Sequence, residues 1–179
     1  MPAIRCRGHS LAEVLIVCAV LAVAAAVALP TAQPVAEFRA DTAAGDVALA
    51  LRFARQAAVR AGAIRMLGCD QANNRLAVYI PDTNGAAATM LKNPLRKDDY
   101  FVRLDQNGGG QAVIASCSFV YADKGSASTV AFDADGNPVR GTGDPKKQAQ
   151  ALSSGAIVLN AGGALRTVNV DATGRVTAS

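Results

Sequence analysis

Near its start the chain reads Arg5-Cys6-Arg7-Gly8-His9-Ser10-Leu11-Ala12-Glu13-Val14. Uncharged, mostly apolar residues then continue to Leu29, and Pro30 follows. The 21 residues from His9 to Leu29 are enough for a helix across the hydrocarbon core of a bilayer, which is about 30 Å thick. Because a carboxylate within such a helix costs about 2.5–3.5 kcal/mol, the sequence indicates that Glu13 has a specific function.

This combination of a basic leader, a glycine and a nearby glutamate resembles the start of type IV pilins and pseudopilins. In that family a membrane peptidase cleaves after the glycine, N-methylates the new terminus and leaves a glutamate at the fifth mature position. The resemblance implies that a prepilin peptidase cleaves between Gly8 and His9 and that His9 is N-methylated. It also implies roles in assembly for Glu13 and Pro30. His9 departs from the family pattern, in which phenylalanine is usual.

The physical chemistry of Glu13 favours the same interpretation. A free α-amine and a carboxylate are each costly in hydrocarbon, and pairing them offsets much of that cost. If the amine belongs to a neighbouring subunit, Glu13 sets the register of assembly. The alternative is an ordinary secretory signal peptide cleaved near residues 26–32, which would leave a carboxylate inside the apolar segment without a function.

The overall charge gives no case for binding to nucleic acid. The 179 residues include 18 Lys and Arg against 14 Asp and Glu. Removal of the leader takes away Arg5 and Arg7, so 16 basic residues remain and the net charge falls to +2. Such a balance is nearly neutral. The positive leader predicts a single pass through the inner membrane, with the N-terminus in the cytoplasm and the C-terminal head in the periplasm.

The four cysteines fall into two groups. Cys6 lies in the leader and Cys18 in the apolar segment, so only Cys69 and Cys117 would reach the oxidising periplasm. Two thiols in one oxidising domain predict a disulfide between Cys69 and Cys117. It would close a loop of about fifty residues and contribute on the order of 4 kcal/mol. The alternative is a pair of separately buried thiols.

The chain divides into four segments: a leader (1–8), a membrane and filament-core helix (9–29), an amphipathic continuation of that helix (30–62) and an all-β head (63–179). The predicted fold class is α+β, with a long N-terminal helix, membrane-spanning in its first half, packed on an antiparallel β-sandwich-like head. Two prolines, Pro30 and Pro34, are expected to kink the helix rather than to end it.

The second half of the helix has an apolar stripe at spacings of three and four residues, which predicts that it packs against the head. The stripe consists of Val47, Leu51, Ala54, Ala58 and Ala61. Arg52, Gln56 and Arg60 lie outside it, and Gly62 is expected to stop the helix.

The remaining sequence consists of short β-type runs separated by turn residues. The predicted strands are Ala63–Gly68, Arg75–Ile80, Tyr100–Leu104, Ala112–Tyr121, Thr129–Asp133, Ala156–Leu159, Ala164–Val170 and Arg175–Ala178. Two polar stretches, Pro81–Asp98 and Arg140–Ser154, are expected to be exposed loops.

Three further stretches resemble one group within the pilin superfamily. They are residues 51–60, the sequence Val130-Ala131-Phe132-Asp133 followed by Gly136, and the ending from Leu165 to Val176. They are similar to the pre-head helix, head and terminal hairpin of the FimT and type II secretion pseudopilin H group. The resemblance implies a minor pilin or pseudopilin whose head makes protein–protein contacts.

The sequence predicts neither catalysis nor a cofactor. His9 is the single histidine, so the head has no Ser-His-Asp or Cys-His group, and two cysteines alone do not make a zinc site. The run Gly108–Gly110 lacks the Lys and Ser or Thr of a phosphate-binding loop. Residues 133–137 lack the further ligands of a calcium loop and are expected to form a β-turn.

The predicted function is that of a minor pilin or pseudopilin, assembled with other pilins into a type IV pilus and active in filament priming or assembly. One alternative is a minor pseudopilin of the type II secretion system. Another is a DNA-binding minor pilin for DNA uptake, which would use Arg166, Gly174 and Arg175. Lys146 and Lys147 would join this patch if the loop Arg140–Ser154 folds over the terminal hairpin. That reading is disfavoured, because Thr177 stands where the FimT-like Gly-Arg-x-Arg ending has its second arginine and each lost phosphate contact weakens binding.

Overall fold

The computed structural model describes residues 11–28, 32–84, 86–105 and 112–179. The predictions for Gly8, His9 and Pro30 therefore lie outside the described residues. The chain falls into two units, Met1–Ala32 and Gln33–Ser179.

Helix α1, Leu11–Ala28, is the described element of the first unit. Glu13 lies in its first turn, where the positive end of the helix dipole favours a carboxylate. Among the described residues, no helix meets the length and apolarity needed to cross a membrane.

Helix α2, Ala32–Ala61, is amphipathic as predicted. Val47, Leu51, Ala54 and Ala58 are fully buried, whereas Ala61 is exposed in the last turn. The helix ends in a Schellman motif, in which the Ala63 amide donates to Ala58 O and the Gly62 amide to Val59 O. Gly62 has a φ of 56°, a conformation that glycine adopts without strain. The predicted stop is confirmed.

The head consists of two antiparallel sheets that share one hydrophobic core with α2. The strands are β1 (Arg65–Asp70), β2 (Arg75–Pro81), β3 (Ala87–Met90), β4 (Phe101–Arg103), β5 (Ala112–Tyr121), β6 (Ser126–Ala127), β7 (Thr129–Phe132), β8 (Pro138–Val139), β9 (Leu152–Ala161), β10 (Ala164–Asp171) and β11 (Val176–Ala178). The first sheet has the order β3-β2-β1-β7-β8, with β4 also paired to β2. The second has the order β11-β10-β9-β5-β6. The chain passes from one sheet to the other between β4 and β5, between β6 and β7, and between β8 and β9, and the second of these crossings is at Ser128.

The two predicted loops contain regular structure that the sequence pattern did not indicate. Strand β3 lies within the first and pairs with β2 across an irregularity at Ile80 and Pro81. The second contains a short helix α3, Pro145–Gln148, whose N-terminus is capped by the Asp144 carboxylate accepting from the Lys146 amide. These elements and the two-residue strands β6 and β8 are too short to show a periodicity.

Candidate functional site

The outward side of α2 carries an apolar surface in its first half. Val35, Phe38 and Leu49 are 46%, 68% and 58% exposed, and Thr42 and Gly45 lie between them at the same spacings of three and four residues. We call these five residues the apolar face of α2. The Thr42 hydroxyl donates to Phe38 O at 2.9 Å, so its hydrogen bond is made within the helix.

The apolar face of α2 is suited to packing against another helix. Exposed apolar side chains grouped on one surface mark interaction sites, and a 3-4 spacing follows one side of a helix. A Cβ built on Gly45 would meet no atom within 4 Å. The backbone there is open to close approach by a partner.

The second half of α2 carries Arg52, Arg55 and Arg60 away from its buried stripe. Two similar turns of the head lie beside this part of the helix. These are residues 133–137, Asp-Ala-Asp-Gly-Asn, and residues 171–175, Asp-Ala-Thr-Gly-Arg. The first connects β7 to β8 in one sheet, and the second connects β10 to β11 in the other.

Both turns are closed by their first carboxylate. Asp133 accepts from the amides of Asp135 and Asn137 at 3.0 and 2.8 Å, which confirms the predicted turn. Asp171 accepts from the Thr173 hydroxyl and amide at 2.6 and 2.8 Å and from the Arg175 amide at 3.0 Å. These hydrogen bonds, the Thr173 hydroxyl first, lower the pKa of Asp171.

Arg55 of α2 joins the two turns. Its Nε donates to Gly136 O at 2.9 Å, and its Nη1 to Gly174 O at 3.5 Å. A Cβ on Gly174 would lie 3.2 Å from Gly136 O, and the φ of 76° at Gly174 also favours glycine. One guanidinium therefore links a hairpin of each sheet to the helix.

The residues predicted for DNA binding are not gathered into one surface. Arg166, on β10, forms an ion pair with Asp41 of α2, and this partner raises the pKa of Arg166. Gly174 is buried inside its turn, whereas Arg175 is exposed. The lysines of α3 lie elsewhere, since Gln148 of that helix donates to Thr83 O, next to the first sheet.

Cys69 on β1 and Cys117 on β5 come together from different sheets. Both are free thiols in the structure. A hydrogen bond with Cys69, together with burial, raises the pKa of the Cys117 thiol. The carbonyl of Ser128, at the crossover between β6 and β7, accepts from the Cys69 amide at 3.0 Å and from Cys117 Sγ at 3.8 Å.

Residues 43–174 match the family described as type II transport protein GspH. This match covers more than half of the chain. The chain belongs to the GspH family. Residues 4–29 also match the prokaryotic N-terminal methylation motif. The GspH-family chain is thus a minor pilin or pseudopilin of a type IV pilus or a type II secretion system, a class of filament components rather than enzymes.

Solved structures of two proteins are similar to this chain. Two structures of the minor pseudopilin EpsH from the type II secretion system of Vibrio cholerae have TM-scores of 0.53 and 0.52 at 9% and 10% identity. They cover 80% and 79% of this GspH-family chain and 97% and 96% of their own. The type IV minor pilin FimU of Pseudomonas aeruginosa has a TM-score of 0.44 at 16% identity. The match covers 84% of this chain and 92% of the FimU chain. No curated protein sequence matches this chain.

Membership of the GspH family and the methylation motif imply processing by a prepilin peptidase and assembly with other pilins. The head contacts that the sequence did not reveal are those of Arg52 and Arg55. Arg52 donates to the carbonyl of Val176 in β11, and Arg55 donates to carbonyls of the two turns. The one signal in the sequence is the repeated Asp-Ala-x-Gly of the two turns.

Proposed function

We propose that this chain is a minor pilin of a type IV pilus, made as a prepilin and active in filament priming or assembly. A prepilin peptidase cleaves between Gly8 and His9 and N-methylates His9. Residues 9–29 anchor the protein in the inner membrane by a single pass, with the head in the periplasm, and later enter the filament core. The match of residues 4–29 to the N-terminal methylation motif carries this proposal.

The apolar face of α2 supports the assembly step. Packing Phe38 and Leu49 against a neighbouring helix would remove apolar area from water, at about 25 cal/mol per Å². The rest of the helix already packs on the head through its buried stripe. One helix can therefore hold its own head on one side and a second subunit on the other.

A type II secretion role is the second candidate, since the family is described as type II transport protein and the EpsH structures share this fold. A deletion strain separates the two systems. Loss of surface pili with normal protein export supports the type IV pilus, and loss of export with normal pili supports the secretion system.

The N-terminus of the membrane-extracted protein tests the class of protein. Intact mass and N-terminal sequencing after co-expression with a prepilin peptidase should give a mature start at His9, with an added methyl group. A start near residue 31 would instead indicate an ordinary signal peptide and contradict the proposal.

We also propose that Cys69 and Cys117 form a disulfide in the periplasm. Their contact across the two sheets supports it, and the bond would add on the order of 4 kcal/mol by restricting the unfolded chain. Alkylation of the full chain unfolded without reductant should modify neither residue, whereas prior reduction should expose both. Labelling of both without reductant would contradict the disulfide. Cys18 serves as the internal control, because it should be labelled in either case.

A further inference from the structure

Two adjoining cavities lie along the second half of α2, and the first of them is closed on its other side by the β10–β11 hairpin. One, of about 340 Å³, is lined by Arg52, Arg55, Gln56, Gly174, Arg175 and Val176. The other, of about 300 Å³, is lined by Arg55, Gln56, Val59 and Arg60. They share Arg55 and Gln56, and we call them together the basic cleft.

The basic cleft concentrates positive charge, although Asp171 lies close enough for its attraction to Arg175 to contribute to the lowered pKa of Asp171. Within the part of the chain that the structure describes, no acidic residue lines either cavity. Elsewhere on the head four arginines are paired with carboxylates: Arg75 with Asp70, Arg96 with Asp98, Arg140 with Asp123, and Arg166 with Asp41. The carboxylates of Asp133 and Asp171, in the turns beside the cleft, accept from their own turns.

The four arginines of the basic cleft divide into an inner and an outer pair. Arg52 donates to Val176 O at 3.2 Å, and Arg55 to the two turn carbonyls, so the inner guanidinium groups are held in place. Arg60 and Arg175 are exposed, and among the described residues neither forms an ion pair. A guanidinium in this position can bind a carboxylate through two parallel hydrogen bonds.

One wall of the basic cleft is the free edge of a sheet. Strand β11 ends the order β11-β10-β9-β5-β6, and the contact of Arg52 with Val176 O places the cleft at that edge. Thr167 and Ser179 exchange both of their backbone hydrogen bonds. Hydrogen-bonded and non-hydrogen-bonded pairs alternate along an antiparallel ladder. The neighbouring pair, Val168 and Ala178, is therefore not hydrogen-bonded, and the backbone groups of each residue point away from the other strand. The amide and carbonyl of Ala178 therefore face away from β10.

We propose that the basic cleft is a docking site for an acidic, extended peptide segment of a partner protein, which adds to the edge of β11. Its carboxylates pair with Arg60 and Arg175, and its backbone bonds to Ala178. Binding of this kind draws affinity from main-chain hydrogen bonds and selectivity from side chains. A sheet edge and the apolar walls of Val59 and Val176 suit a peptide better than the phosphate backbone of a nucleic acid. The basic cleft is separate from the apolar face of α2, which is the surface proposed for assembly. The proposed docking of a peptide therefore does not depend on how the subunits pack in a filament.

Binding of a fluorescein-labelled peptide that alternates Glu and Thr, measured by anisotropy with the full chain in detergent, tests the docking site. We expect salt-sensitive binding that is absent for the same peptide with Gln in place of Glu. Arg175→Gln and Arg60→Gln should each weaken it about fivefold or more. Arg103→Gln, an exposed arginine on β4, is the matched control and should leave it unchanged. Ala178→Pro, which removes the outward amide and none of the hydrogen bonds to β10, should weaken binding while the protein stays folded, as checked by thermal unfolding.

Three results would overturn the proposal. The first is no binding of the acidic peptide, or binding that Arg103→Gln weakens as much as Arg175→Gln. The second is undiminished binding in a folded Ala178→Pro protein, which would remove the strand addition. The third is tighter binding of a short single-stranded oligonucleotide through the same arginines, which would assign the cleft to nucleic acid.

Discussion

In the Gly8→Val variant the leader is expected to stay attached. A peptidase that cuts after a glycine must fit the backbone of that residue closely, and a branched side chain at this position blocks the approach. The mass of the membrane-extracted protein should therefore correspond to the uncleaved chain, with processed protein reduced at least about tenfold, equivalent to 1.4 kcal/mol in the barrier. The methyl group should be lost as well, because its acceptor amine is never released.

A matched control for this variant lies in the same leader. Ala3→Val makes the same change from a small to a branched side chain, five positions upstream of Gly8, and should be processed normally. Normal processing of Gly8→Val would remove the central claim about the N-terminus. An equal loss of processing in both variants would show that any larger side chain in the leader interferes with cleavage.

The predictions from sequence held where a side-chain pattern is long enough to be periodic. Strand β5 was predicted over the same residues that the structure shows, Ala112–Tyr121, and α2 buries the predicted stripe up to its last turn. Strand β9 was predicted too short, because its first half contains two serines and Gly155. That glycine pairs with Phe119, and a Cβ on it would lie 2.4 Å from the ring. Its place in the strand depends on a residue of another strand, which no local pattern shows.

The candidate site was less predictable because its contacts join distant parts of the chain. Arg55 contacts Gly136 and Gly174, which are 81 and 119 positions away. The sequence pattern predicted that Arg55 lies on a helix. It did not predict whether its guanidinium donates to backbone carbonyls or is exposed to a ligand. Arg166 shows the same limit, since its partner Asp41 is 125 positions away. Basic residues that look alike in the sequence thus differ in whether they are available to a ligand.

Glu13→Ala is expected to be cleaved normally and to fail in assembly. Cleavage is proposed to depend on Gly8, whereas Glu13 is proposed to pair with the α-amine of His9 in a neighbouring subunit. Alanine removes the cost of about 2.5–3.5 kcal/mol for a carboxylate in the bilayer, so the free subunit should insert at least as well as before. It also leaves the amine of the neighbour without a partner in the filament. Incorporation should fall about tenfold for each 1.4 kcal/mol of lost pairing.

The measurement for Glu13→Ala is the fraction of mature protein in sheared filaments, with intact mass confirming a start at His9. Glu37→Ala is the matched control, because Glu37 is an exposed carboxylate on α2 and its loss should leave incorporation unchanged. Glu13→Gln separates charge from size, since an amide keeps the shape but cannot neutralise an amine. If pairing is the cause, Gln should fail as Ala does. Normal incorporation of either Glu13 variant would show that the carboxylate does not set the register, even with the leader correctly removed.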